Sequence, residues 1–303
     1  MRIFENANFN FIGNRRKAYI VSGILLLLSV GSLIVRGLEL GIDFQGGMEF
    51  VVESPVELEP VAVRGQLATA LGSEPEVKTF GAGQVLIRTS AEGDISDIQN
   101  RIVEGITEGF AGSDPEVVKT DVVGPRFAED LKQGAIWAVL GSLLVIFVYI
   151  LLRFEWRFGV GAVAALFHDV TITLGIFSAA AGILPFSLQI DQAIIAAFLT
   201  IVGYSLNDTV VVFDRIREYS NLFKTETYDK LVNRSINNTL SRTIVTSGTT
   251  LLVVAVLFIF GGEVLRGFAF GLILGVTIGT YSSVFVASPV VVELRTRMKG
   301  GRR

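Results

Sequence analysis

Cysteine is absent from this chain of 303 residues, and histidine occurs only at position 168. The lack of cysteine excludes disulfides, thiolate metal sites and thiol nucleophiles, and a single imidazole leaves little scope for a histidine metal cluster. Charge is scarce too: 18% of the residues are charged, and a net charge of -3 gives no reason to expect nucleic-acid binding. Because the sequence contains no nucleophile–base set, metal cluster or nucleotide-binding loop, we predict neither an enzyme nor a bound cofactor or metal.

Long apolar runs dominate what is present. Half of the residues are hydrophobic and the mean hydropathy is +0.57, which is too apolar for an ordinary soluble domain. Six runs are long enough to cross about 30 Å of hydrocarbon as helices. The predicted spans are Ala18–Val35, Gly134–Leu152, Phe158–Ile183, Gln189–Phe213, Thr243–Gly262 and Gly267–Val292. The first is too long for a signal-peptide core and no small-residue cleavage site follows it, so we expect a retained anchor.

Lysine and arginine are distributed unevenly around these spans. They precede the first span, follow the last, and fill the loops between spans two and three and between spans four and five. The opposite short loops carry almost none: 182–190 has no Lys or Arg, and 263–267 has only Arg266. Because short cytoplasmic loops carry the excess of positive charge, we expect both termini in the cytoplasm.

This orientation predicts the organisation of the whole chain. We expect a cytoplasmic N-terminus with the first span (1–37), an extracytoplasmic domain (38–132), spans two to six with a cytoplasmic loop at 214–241 (133–293), and a basic cytoplasmic tail (294–303). The loop 214–241 is polar with scattered apolar residues. A short helix along the cytoplasmic face and a solvated loop are both compatible with that pattern.

The segment 38–132 alternates between strand-like and helix-like patterns. The predicted strands are Met48–Glu53, Glu76–Phe80, Gln84–Thr89 and Glu116–Val123, and the predicted helices are Pro60–Leu71 and Asp94–Phe110. A turn at Gly81-Ala82-Gly83 joins the two middle strands as a hairpin. The order strand, helix, strand, strand, helix, strand is the ferredoxin-like pattern. We therefore predict a membrane bundle of six transmembrane helices with an inserted extracytoplasmic ferredoxin-like α+β domain.

One acidic residue, Asp208, lies inside an apolar run with Asn207 as its only strongly polar neighbour. A carboxylate at membrane depth is costly, and such groups usually face a bundle interior, a water-filled cavity or a partner charge. Arg242 heads the next span, and Thr246 follows it on the same helical face with two further threonines. An acid and a base on neighbouring membrane helices predict a machine that moves charge, most simply protons. The alternatives are that Asp208 only fixes helix packing through Asn207 or a backbone group, and that Arg242 only reaches toward lipid headgroups.

Two further patterns lie in other spans. His168 and Asp169 form a second ionisable site in span three, which is either a proton relay or an interhelical hydrogen bond. In span six, glycine recurs every four residues and Ser283 continues the series. The glycines are Gly267, Gly271, Gly275 and Gly279. Such a ridge of small residues lets another helix approach closely, so we assign it to helix packing.

Four motifs in this order resemble the SecF branch of the SecD/SecF family of protein-export membrane proteins. They are Gly41–Gly47 (GIDFQGG) after span one, Val122–Pro125 (VVGP) before span two, Gly203–Glu218 (GYSLNDTVVVFDRIRE) in span four and Ser241–Thr250 (SRTIVTSGTT) in span five. The first lacks the ending of a phosphate-binding loop, and its glycines are expected to shape the exit from the membrane into the first strand. The resemblance covers essentially the whole chain.

The resemblance implies a function, a site and partners. It implies half of a transporter of the resistance-nodulation-division superfamily, which pairs with SecD and uses the proton-motive force to drive late steps of protein export. The family's intramembrane Asp and Arg fall on Asp208 and Arg242. The implied location is the bacterial inner membrane. The implied partners are SecD, the SecYEG channel, YajC and YidC, the translocating polypeptide and membrane lipid.

Two other functions remain open from the sequence. A scaffold that does not pump could bind client chains through its outer domain, with the buried charges serving only to hold helices together. Half of a proton-driven efflux transporter is the weaker alternative, because efflux members usually carry two large outer domains and this chain has a single small one.

Overall fold

The structure, a computed structural model, describes residues 7–81, 83–90, 93–184 and 186–300, with the backbone alone at residue 263 and at 297–300. The tip of the predicted hairpin turn at Ala82, the first six residues and the last three residues of the basic tail lie outside the described residues. In chain order the helices are α1 (Arg15–Val35), α2 (Ile42–Gln45), α3 (Pro60–Leu71), α4 (Ile95–Gly109), α5 (Pro125–Arg153), α6 (Trp156–Ala180), α7 (Gln192–Leu222), α8 (Tyr228–Phe260), α9 (Gly262–Ser282) and α10 (Ser288–Gly300). The strands are β1 (Gly47–Glu53), β2 (Glu76–Thr79), β3 (Gln84–Thr89) and β4 (Glu116–Val123).

The chain forms two compact units. The helical unit consists of the described parts of 1–38, 138–179 and 194–303, and the inserted unit consists of 39–137 and 180–193. The second range is the connection between α6 and α7. The sequence pattern assigned that connection to the membrane bundle, whereas the structure groups it with the segment that follows the first span.

Six helices within the described ranges are long and apolar enough to cross a membrane: α1, α5, α6, α7, α8 and the segment Val264–Thr296. They correspond one to one with the predicted spans. The last segment is α9 and α10 joined by a π-helical turn at Ser283–Ala287. The chain is therefore a helical membrane protein with several spans, as its hydropathy predicts.

The segment 214–241 is neither a solvated loop nor a separate short helix. Helix α7 continues to Leu222 and α8 already begins at Tyr228, so only five residues between them lie outside helices. The scattered apolar residues of this segment explain the difference. Ile216, Val232 and Ile236 are fully buried in the core of the helical unit, which stabilises both helices beyond the apolar runs.

The glycine series lies where α9 meets α6 and α7. A methyl group on Gly271 would lie 3.2 Å from the Phe177 ring, and one on Gly279 would lie 3.0 Å from Cβ of Ser205. At Gly275 the same methyl group would lie 2.2 Å from Cγ1 of Ile201. Gly267 is buried as well. The missing side chains thus allow α9 to pack closely against α6 and α7.

The inserted unit is built on a four-stranded sheet in the order β2-β3-β1-β4, with every neighbouring pair antiparallel. The four strands and the helices α3 and α4 match the predicted ones to within one residue at each end, whereas the short helix α2 was not predicted. The alternation of apolar residues explains this agreement, because it sets which strand and helix faces meet. Fully buried Phe50, Ile87, Leu67, Ile102 and Ile106 form the centre of the core.

Two adjacent glycines lead into the first strand. Gly46 and Gly47 have φ angles of 74° and 117°, a region that side chains rarely allow. A methyl group on Gly47 would also lie 2.9 Å from the carbonyl oxygen of Thr89 on β3. The glycine pair is therefore required by the close pairing of β1 at its first residue.

Arg88 on β3 ties three segments of the inserted unit together. Its guanidinium is 7% exposed and lies 2.8 Å from Glu49 and 3.3 Å from Glu76. It also donates to the carbonyl oxygen of Leu40 and to Oε1 of Gln189, which belongs to the connection between α6 and α7. A parallel bridge between Leu40 and Ile190 adds backbone hydrogen bonds beside this contact.

We expect Gly275→Ala to lower the free energy of unfolding of the helical unit by about 1–3 kcal/mol. The new methyl group overlaps Ile201, and extra atoms in a packed core destabilise it by about this amount. The measurement is the midpoint of thermal unfolding of the purified chain in detergent. Gly23→Ala is the matched control, since a methyl group there meets nothing within 4 Å. Equal midpoints for the two variants would contradict the close packing described here.

We expect Arg88→Ala to lower the stability of the inserted unit by about 3 kcal/mol, because Glu49, whose side chain is only 12% exposed, is then left without its closest compensating charge. Proteolysis of the full chain at increasing denaturant, scored for cleavage within 39–137, measures the change. Lys119→Ala removes an ion pair with Asp121 whose side chains are both more than 40% exposed, so its effect should stay below about 1 kcal/mol. A loss for Arg88→Ala no larger than that control would show that the buried cluster stabilises nothing.

Candidate functional site

Asp208 lies in the interior of the helical unit, where its side chain accepts two hydrogen bonds from hydroxyl groups. The residue is 9% exposed. Thr243 Oγ1 on α8 donates to Oδ1 at 2.8 Å, and Ser283 Oγ at the π-helical turn donates to Oδ2 at 2.6 Å. The carboxylate of α7 is thereby joined to two other membrane helices.

A second buried carboxylate lies on α6. Asp169 is 1% exposed and accepts from Ser205 at 2.5 Å and from Ser282 at 2.7 Å, both on Oδ2. Its Oδ1 lies 2.8 Å from Nδ1 of His168, which is itself buried. The sequence left open whether His168 and Asp169 make an interhelical bond or a relay. The structure gives them a direct contact with each other and hydroxyl partners on α7 and α9.

The imidazole continues this chain of polar contacts toward α1. Nε2 of His168 lies 3.1 Å from Ser22 Oγ, and that hydroxyl lies 3.1 Å from the phenol oxygen of Tyr281. The phenol in turn donates to the carbonyl oxygen of Ala18. Hydroxyl groups can donate and accept at once, so a connected series of them can pass a proton along as well as hold a carboxylate.

Arg242 does not contact Asp208 directly. Within the described ranges no hydrogen bond or ion pair joins the two side chains, although Arg242 is close enough to act on the carboxylate electrostatically. The guanidinium is exposed and lines a cleft of about 1230 Å³ in the helical unit, together with Thr246. Asn207 is also exposed and points away from the buried network. The predicted site residues therefore divide into two groups. Asp208, Asp169 and His168 are buried, whereas Arg242, Asn207 and Thr246 are exposed.

The cleft is polar and mainly basic. Besides Arg242 it is lined by Arg15, Arg215, Lys230 and Arg234, with asparagine amides between them. Arg242 lines this cleft. The next residue of α8, Thr243, is the one whose hydroxyl donates to Asp208.

Sequence reasoning missed the hydroxyl groups that hold the carboxylates. These are Ser205, Thr243, Ser282 and Ser283, and sequence reasoning also missed Ser22 and Tyr281, which extend the contacts of His168. One signal for Ser283 was available, since it continues the glycine series at four-residue spacing. Gly275 packs on Ile201 and Gly279 on Ser205, so the next position on the same faces pairs Ser283 with Asp208.

In the part of the chain that the structure describes, no three His, Asp or Glu side chains are grouped closely enough to hold a metal ion. The chemistry that the buried site offers is proton binding by two carboxylates and one imidazole, surrounded by hydroxyl donors.

Two family models match this sequence. The model for "Protein export membrane protein SecD/SecF, C-terminal" matches residues 102–297, and the model for the "SecD/SecF GG Motif" matches residues 31–54. The second match contains Gly46 and Gly47, the pair with left-handed backbone geometry at the start of β1. The first contains every buried carboxylate and hydroxyl of the site except Ser22.

The chain is also similar to individual proteins along its whole length. It is 69% identical to the protein translocase subunit SecF of Rhodothermus marinus, over all of this chain and 98% of that protein. The crystal structure of SecDF from Thermus thermophilus, a translocon-associated membrane protein, matches 98% of this chain with 36% identity and a TM-score of 0.86. A SecDF structure in a super-membrane-facing form matches with the same identity and coverage and a TM-score of 0.72.

In both cases this chain spans 40% of the length of the solved SecDF chain. One family model covers more than half of the sequence, and a relative of 69% identity aligns from end to end. The chain therefore belongs to the SecD/SecF family of protein export membrane proteins.

Proposed function

We propose that this chain is the SecF subunit of a SecD–SecF pair that uses the proton-motive force to drive late steps of protein export. The export role follows from the family, whose members are membrane components of translocation rather than enzymes. The use of protons is our extension from the site. The family's description as a protein-export family also argues against an efflux transporter.

The observation that carries the proton-coupling proposal is the environment of Asp208. Its two hydrogen-bond donors are neutral hydroxyls on two different helices, α8 and the π-helical turn. A hydroxyl that donates to a carboxylate can rotate and accept from a carboxylic acid, so a proton can arrive or leave without loss of the contact. A change in the charge of Asp208 then acts on three helices together.

Arg242 has a second role in this proposal. Its exposed guanidinium in the polar cleft supports a position on the route between water and Asp208, with Thr243 as the intervening hydroxyl. Movement of Arg242 toward or away from the carboxylate changes how strongly Asp208 holds a proton, because a nearby cation favours the charged form. Thr246 and Asn207 line the exposed side of the same two helices.

A scaffold that does not pump remains the second candidate, and one observation favours it. The hydroxyl bonds of Asp208 and Asp169 link α6, α7, α8 and α9, so both carboxylates are also structural ties. The two candidates differ in whether Asp208 must carry a titratable charge.

An uncovered polar face of α7 supports the pairing with SecD. Ala196, Thr200, Gly203 and Asn207 are exposed, and their spacing of three and four residues puts them on one side of the helix. Thr200 already donates to the carbonyl oxygen of Ala196, whereas an amide such as that of Asn207 is costly where it faces hydrocarbon without a partner. Small and polar residues also favour close helix association in membranes. SecD is the partner that we propose for this face, because the solved chain that matches is named SecDF and this chain spans 40% of it.

We extend the same proposal to topology and further partners. Positive charge in the short loops supports cytoplasmic termini in the bacterial inner membrane and an extracytoplasmic domain at 38–132. The strand order β2-β3-β1-β4 with two helices in the order βαββαβ supports a ferredoxin-like fold for that domain. We also propose that the chain contacts SecYEG, YajC, YidC, the translocating polypeptide and membrane lipid.

We expect Asp208→Asn to abolish the stimulation of export by the proton-motive force, because asparagine keeps size and hydrogen bonding but cannot bind or release a proton. The measurement is translocation and proton flux in vesicles that contain the chain with SecD and the export channel. Asp214→Asn is the matched control, because Asp214 lies on the same helix and its ion pair with Arg153 is about half exposed. A scaffold tolerates the loss of a buried charge, so normal stimulation in Asp208→Asn would favour that candidate.

We expect a cysteine at position 200 to crosslink to a cysteine in SecD, because the exposed face of α7 should be covered by that subunit. The chain contains no cysteine, so Thr200→Cys introduces a single reactive thiol. Leu252→Cys on α8 is the control, since Leu252 is 70% exposed on an apolar stretch suited to lipid. If the thiol at 252 crosslinks to SecD and the thiol at 200 reacts only with lipid-soluble reagents, SecD covers a different face.

A further inference from the structure

Consecutive serines in the last span each hold a different buried carboxylate. Ser282 donates to Asp169 on α6 at 2.7 Å, and Ser283 donates to Asp208 on α7 at 2.6 Å. Both serines are fully buried, and both carboxylate residues are less than one tenth exposed. The two acidic groups, which lie on separate helices, are therefore joined by two neighbouring hydroxyls on a third helix.

The backbone at these serines departs from the α-helix. A π-helical turn runs from Ser283 to Ala287, and Ser288 Oγ donates to the carbonyl oxygen of Ser283 at 2.9 Å. In a π turn each hydrogen bond spans one more residue than in an α-helix, and such turns are rare and frequent at functional sites. The hydroxyl of Ser288 stabilises the turn at the residue that holds Asp208.

We propose that Ser282 and Ser283 are positioning residues that join Asp208 and the Asp169–His168 pair into one proton-binding unit, engaged or released by the π-helical turn. This inference rests on the proposed function, because it assigns a second carboxylate to the same proton pathway. When the turn relaxes to an α-helix, the two hydroxyls rotate away from their carboxylates together. Proton occupancy at the two acids and the shape of the last span then depend on each other.

The groups that face this unit come from every helix packed around it. Helix α1 contributes Ser22, α6 contributes His168, and α7 contributes Ser205. Helix α8 contributes Thr243 and the cation Arg242, and α9 contributes the phenol of Tyr281, which reaches His168 through Ser22. The titratable groups that a pH profile can report are therefore Asp169, His168, Asp208 and Tyr281, with Arg242 as the fixed charge.

The test is the pH profile of proton flux in vesicles that contain the chain with SecD. A hydroxyl that donates to a carboxylate stabilises its charged form. Ser283→Ala and Ser282→Ala should each shift the midpoint of the profile toward higher pH by about one unit, which corresponds to one hydrogen bond to a charged group. Ser283→Thr keeps the hydroxyl and should restore the native midpoint.

Ser178→Ala is the matched control. It removes another buried hydroxyl, which bonds to Ser32 on α1 at 2.9 Å, but that hydroxyl touches neither carboxylate. The midpoint for this variant should stay at the native value. If Ser283→Ala does not fold, Ser283→Cys of similar size and with a weak donor replaces it, and the same shift is expected.

Coupling between the two acids is tested by a double-mutant cycle. Asp169→Asn should shift the midpoint of the flux in the native background, and this shift should disappear in the Ser282→Ala background, because the link through the serines is lost. If Asp169→Asn has the same effect in both backgrounds, or if the serine variants behave like Ser178→Ala, the inference is wrong. Those results leave the proposed function intact, whereas normal flux in Asp208→Asn refutes the proposed function itself.

Discussion

Two carboxylates inside a bundle of apolar helices impose the constraint on which the helical unit depends. A charged oxygen that leaves water must find donors in the protein, because the cost of an unpaired buried charge exceeds that of most other defects. In this chain the donors are hydroxyls, two for Asp208 and two for Asp169, with an imidazole beside the latter. Neutral donors satisfy a carboxylate without fixing its charge, and this property is the reason that we propose proton binding at the site.

The two faces of helix α7 differ in what covers them. One face carries Ile201, Ser205 and Asp208 against α9, where glycines at every fourth residue let the backbones approach. The opposite face carries Thr200 and Asn207 and is uncovered in this chain. The amide of Asn207 is costly where it faces hydrocarbon, which is why we propose that a second subunit covers this face.

Much of this architecture could be predicted from the sequence. The strands and helices of the inserted unit follow from the change between two-residue and 3.6-residue periodicity, and the spans follow from hydropathy. The ends of α7 and α8 could not be predicted in that way, because the polar residues beyond the apolar runs give no hydropathy signal. Serine and threonine also often bond to their own helix, as Thr173 does to the carbonyl oxygen of Asp169, so their presence alone did not identify the donors to the carboxylates. The contact between Arg88 and Gln189 joins positions 101 residues apart, so no local sequence pattern could predict it.

The grouping of residues 180–193 with the inserted unit has a consequence for the order in which that unit can be completed. These residues connect α6 to α7, the two helices that carry Asp169 and Asp208, and they are fastened to Arg88 and to the segment around Leu40. Arg88 and the segment around Leu40 can make these contacts only after residues 180–193 have been synthesised, so the inserted unit is completed only after α5 and α6 are already part of the chain.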